Sequence, residues 1–118
     1  MPPFDITERT FAFGVRIINL CVFLGARPGV PWRLSNQLLD AGTSIGANVE
    51  EGQAGQSRAD FISKNAIALK EAREASYWLR LLKATVLADS SDVNELITEA
   101  EELKRILGAI VARARANS

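Results

Sequence analysis

The sequence predicts an all-α fold, an antiparallel up-down-up-down four-helix bundle, on three observations. Four long segments carry apolar residues at spacings of three and four. The four prolines and eight glycines gather at a few places, which leaves long uninterrupted elements between them. The connections are short, and short connections force successive helices to lie antiparallel. With 118 residues and 47 % apolar content the chain reads as one domain over residues 1–118, large enough to bury a core without staples.

The helices are expected over about 7–24, 32–53, 58–88 and 92–116. The first starts near Asp5 or Thr7, where Asp5 followed by Glu8 resembles a capping box and Phe4 stands where a hydrophobic staple begins. Phe11, Val15, Ile18 and Val22 form one apolar stripe, and Phe13, Ile17, Leu20 and Leu24 form a second on a different side. A narrow strip holding Arg9, Arg16 and Asn19 looks made for water. Gly25 ends this helix, and GARPGVP is the longest loop.

The second helix carries a core stripe of Leu34, Leu38, Ala41, Ile45 and Val49. Gly42, Ser44, Gly46 and Ala47 lie between them. Two helix glycines cost about 1 kcal/mol each relative to alanine, so a neighbouring helix is expected to approach closely on the Gly42/Gly46 side. Asn48, at the edge of this stripe, reads as a hydrogen-bonded structural residue.

Ser57, with Asp60 three residues on, caps the third helix, which runs to Leu87 or Ala88. Phe61, Ala68, Ala72, Ser76, Leu79 and Val86 share one side; Ile67, Trp78 and Leu81 share nearly the opposite side. A helix apolar on two sides is covered on two sides. This helix should outrun the second, with the Gly25–Pro31 loop and Trp32 covering the overhang. Ser91 or Asp92 caps the fourth helix, whose seam is Val93, Leu96, Ala100, Leu103, Leu107, Ile110 and Ala114. Its acids come early and its bases late, an order that the helix dipole favours without a partner.

Composition bounds the chemistry. There is no histidine, which removes the commonest general base and metal ligand. No cofactor or metal is expected, and no catalytic set: the carboxylates Glu50, Glu51, Glu71 and Glu74 show no sign of the environment that would set an acid against a base. The single cysteine, Cys21, suits a reducing cytoplasm and reads as a small core residue. The MPPFDITER start has no apolar core of a signal peptide, and no apolar run is long enough to cross a membrane. Formal net charge is zero, which argues against a whole-molecule field that gathers nucleic acid.

Two surfaces are candidates for interaction. The second apolar sets, Phe13, Ile17, Leu20 and Leu24 with Ile67, Trp78 and Leu81, would stay wet in a lone bundle and are the expected homo-oligomer interface. Lys70, Arg73, Arg80 and Lys83, interleaved with Tyr77, form the strongest basic cluster. They suit either a phosphate backbone or ion pairs within and between subunits.

The runs QLLDAGTSIGANVEEGQ and FISKNAIALKEAREASYWLRLL carry a resemblance. The chain resembles the small four-helix bundle proteins encoded in intervening sequences of bacterial 23S rRNA genes, relatives of the accessory variability protein of diversity-generating retroelements. Ser44, Ile45, Asn48 and Glu51 match the family's helix-2 signature, and Lys70, Glu71, Tyr77 and Leu79 its helix-3 pattern. The resemblance implies a homopentameric ring. It also implies, through the strongly basic retroelement member, a nucleic-acid or reverse-transcriptase partner. Asp40 stands where family members often carry a basic residue, and the neutral chain departs from that member in charge. The resulting expectation is a non-enzymatic, cytoplasmic scaffold or adaptor partnered with itself. The alternative is a nucleic-acid-binding accessory protein.

Overall fold

A computed structural model describes residues 5–85 and 90–118. It contains four helices, α1 (Ile6–Gly25), α2 (Trp32–Ala54), α3 (Arg58–Thr85) and α4 (Ser91–Ala116), and no strand among the described residues. They form a four-helix bundle 49 Å long and 23 Å across. α1 packs on α2, α2 on α3 and α3 on α4, whereas α1 and α4 touch only sparingly.

Local chemistry sets the helix starts. The Asp5 carboxylate accepts from the backbone N–H of Thr7 at 3.0 Å and of Glu8 at 3.3 Å, so α1 opens on the expected cap. Ser57 Oγ accepts from Asp60 N at 3.0 Å and starts α3. At α4 the cap is Ser90 rather than Ser91 or Asp92; its Oγ accepts from Val93 N at 3.2 Å. The expected far end of α3, at Leu87 or Ala88, lies outside the described residues, as does Val86. Gly29, at φ +86°, makes the one left-handed turn among the described residues, in the loop before Pro31.

One apolar cluster runs through the bundle, with Leu38, Ile45 and Val49 from α2, Ala68, Ala72 and Leu79 from α3, and Val93, Leu103 and Leu107 from α4. α1 adds Phe13, Ile17, Leu20 and Leu24. The α4 seam departs from expectation in its last turns. Val111 is buried, while Ile110 is only partly so. An α-helix drifts against a strict seven-residue repeat, and by this point the drift has carried the seam on by one position. Trp32, expected to help cover the end of α3, stands 67 % exposed; Val30 and Leu34 pack on the core instead.

The glycines of α2 have their neighbour, and it is α1. A Cβ at Gly42 would lie 2.7 Å from Ile17 Cγ1, and one at Gly46 would lie 3.2 Å from the Thr10 carbonyl oxygen. At both places α1 occupies the space a side chain would need. Asn48 donates from its amide to the Ser44 carbonyl at 2.9 Å, the structural role expected of it. Buried Asn65 does the same to Phe61 O at 2.9 Å.

Candidate interaction surfaces

The two apolar stripes of α1 take the opposite places to those expected. Phe13, Ile17, Leu20 and Leu24 are not an intersubunit face; all four are core residues, Ile17 with no exposure at all. Phe11, Val15, Ile18 and Val22 are the outward stripe, Phe11 at 64 % and Val22 at 70 % exposed. Both stripes have helical spacing, so periodicity could not rank them. Their flanks decide. On one flank of the Phe13 stripe lie Thr10, Gly14 and Cys21, small enough for α2 to come close: the Gly14 side lies against Gly42 and Thr43, and the Cys21 thiol donates to Ser35 O at 3.5 Å. Burial raises the pKa of that thiol, as suits a packed residue.

On the other flank lie Arg9 and Arg16, read from sequence as a water-facing strip. They face α4. Arg9 Nη2 donates to Glu99 Oε1 at 2.6 Å and its Nε to Glu99 Oε2 at 3.0 Å, a two-point grip that raises the arginine pKa. Arg16 reaches Glu95 at 3.0 Å and Asp92 at 3.7 Å. The early acids of α4 therefore do have partners, and the helix dipole is not their whole explanation.

The outward stripe of α1 runs on towards α2. Ile18, Val22, Trp32 and Leu39 line a shallow hollow of about 320 Å³ at the end of the α1–α2 seam. Of the expected α3 interface residues, Ile67 is exposed, while Trp78 and Leu81 are half-buried, with Trp78 packed against the core. The Tyr77 and Trp78 rings meet edge to face, 5.2 Å between centroids.

The basic candidates are all exposed but are not equivalent. Lys70 lies 3.9 Å from Glu74 in an i,i+4 pair. Arg80 leans over the Tyr77 ring, 5.7 Å from its centroid. Arg80 also contributes to holding the Glu101 carboxyl below its usual range, though the main causes there are hydrogen bonds from Ser76 Oγ, at 2.6 Å, and Lys104. Arg73 and Lys83 make no ion pair among the described residues. Glu71 turns towards α2; burial first, then Glu74 and Asp40, raise its pKa against the pull of Lys70. Among the described residues no group of three His, Cys, Asp or Glu side chains could hold a metal ion, and no helix is long and apolar enough to cross a membrane.

Sequence reasoning missed two features. One is the α1–α4 ion-pair ladder, whose signal was present as Arg9 and Arg16 at helical spacing opposite a run of acids. The other is a groove of about 520 Å³ between the start of α3 and the end of α4, lined by Phe61, Ile106 and Ile110 and flanked by Arg58 and Arg113.

No curated protein matches the chain. A crystal structure of a protein with unknown function, from the S23 ribosomal protein family of Bacteroides thetaiotaomicron VPI-5482, is similar throughout. It shows 40 % identity and a TM-score of 0.83 over 90 % of this chain and 97 % of that one. The family model described as 23S rRNA-intervening sequence protein matches residues 4–109, and the chain, with its glycine-seamed α1–α2 pair and four-helix core, belongs to that family.

Proposed function

We propose that this protein is a non-enzymatic scaffold or adaptor of the cytoplasm that assembles with copies of itself, through the outward stripe of α1. The carrying observation is that stripe: four large apolar side chains in one row, Phe11, Val15, Ile18 and Val22, with exposed Trp32 close to its end. A row of this kind is characteristic of a surface covered by a partner. Within each copy the helices run up, down, up and down. Contacts of Thr10 with Gly46 and Ile17 with Gly42, and of Arg9 with Glu99 and Arg16 with Asp92, support those directions. The family resemblance favours a closed ring of five.

Light scattering at micromolar concentration tests the assembly. The parent chain is expected well above its 12.8 kDa monomer mass, and Phe11→Asp with Val22→Asp is expected to bring it to monomer mass with unchanged helical circular dichroism. A monomeric parent overturns the reading.

A second reading rests on Arg73, Tyr77 and Lys83, which are exposed, with neither basic group in an ion pair among the described residues. Repeated around a ring, they would offer a phosphate backbone a weak, salt-sensitive track. Adding RNA to the same scattering measurement at low and at physiological salt separates the two: RNA that is bound at low salt and released as salt rises favours this second role.

A further inference from the structure

One face of α4 changes partner halfway along. Asp92, Glu95, Glu99, Glu102, Ile106, Ile110 and Arg113 recur at spacings of three and four, so they form one continuous ridge. Its first half meets α1: Arg16 reaches Asp92 and Glu95, and Arg9 reaches Glu99 and Glu102. α1 begins at Ile6, one turn before Arg9, so its helical contact with the ridge ends near Ile106. From there the ridge continues for about three turns, roughly 16 Å at the helical rise. This second half, with Phe61 and Arg58 of α3, is the groove of about 520 Å³.

The charge of the ridge reverses where α1 stops. Where α4 is acidic, its partner helix supplies arginines; beyond Glu102 the rim is basic, with Arg58 and Arg113 in no ion pair among the described residues. The floor there is apolar. A groove that extends a helix-binding face, with an apolar floor and two cations on its rim, is complementary to an amphipathic helix whose apolar stripe is flanked by acids. We propose that this groove docks an acidic amphipathic helix of a partner protein, end to end with α1 along the α4 ridge. It is built from different residues than the assembly stripe of α1, so the two readings stand or fall separately.

The test uses the full chain and two synthetic helical peptides of about 18 residues, long enough to span the groove. They share one leucine stripe, flanked by glutamates in one and by lysines in the other. Fluorescence anisotropy is expected to show the acidic peptide binding at least about tenfold tighter than the basic one. Arg58→Glu with Arg113→Glu, both changes at the rim, is expected to reverse that order while circular dichroism and particle mass stay as in the parent. Equal affinities, no binding, or an order unchanged by the double substitution overturns the proposal. So does a fall in particle mass on Ile110→Asp with the helices intact, which would make a second copy the occupant. Binding that emerges only after residues 1–4 are deleted would make the chain's own N-terminus the occupant and overturns it too.

Discussion

α1 is held on two sides by opposite means. Towards α2 the seam is made of absences: Gly42 and Gly46 carry no side chain, and Ile17 and the Thr10 backbone fill the space. Towards α4 it is made of reach, with Arg9 and Arg16 spanning a gap that the two backbones do not close. A contact made by removing atoms tolerates no added atom, because a close-packed neighbour has nowhere to move. A contact made by long, partly solvated side chains can be lost and replaced by water at small cost. Sequence tolerance should therefore differ sharply across one helix.

Substitutions on the two sides of α1, with one control, probe that contrast, from the largest effect to the smallest. Ile17→Ala removes the side chain that lies on Gly42 and is expected to cost about 2–5 kcal/mol in urea unfolding, with a cavity left in the seam. Were Ile17 an intersubunit residue, the loss would fall on particle mass and leave subunit stability nearly intact. Gly46→Leu is expected to cost about 1–3 kcal/mol by driving side-chain atoms into the Thr10 carbonyl. Its control is Gly108, also inside a helix but with nothing within 4 Å of the place a methyl group would take. Gly108→Ala should gain up to about 1 kcal/mol from helix propensity alone. A loss at Gly108 equal to that at Gly46 would show that helix position, not proximity, sets the cost. Arg16→Ala removes a pair whose partners are well exposed and should cost about 0–1 kcal/mol, vanishing in high salt. Arg9, with its two-point grip on Glu99, should lie at the upper end of that range.

Much of this architecture was legible in the residues. Four helices, the caps at Asp5 and Ser57, the core stripe of α2 and the close approach at Gly42 and Gly46 all follow from rules that act within a few residues. The glycines were informative because they violate local propensity, and such a violation persists where packing offsets it.

Which α1 stripe faces inward was not legible. Phe11, Val15, Ile18 and Val22 are as apolar and as regularly spaced as Phe13, Ile17, Leu20 and Leu24, so a helical wheel treats them alike. The choice was made by partners far away in sequence: two glycines of α2 that need a flank of small residues, and acids of α4 that need a flank of arginines. The Phe13 stripe lies between these two flanks, whereas the Phe11 stripe borders the small-residue flank alone. The same holds for the groove at the end of α4. Ile110 reads as more of the seam, and Ile106 carries no reading at all, until the bundle ends α1 short of them and leaves Arg58 and Arg113 at the rim. Local periodicity determined what each helix is; where one helix stops beside another, and which charges it meets there, is a relation between distant segments that only the tertiary structure could decide.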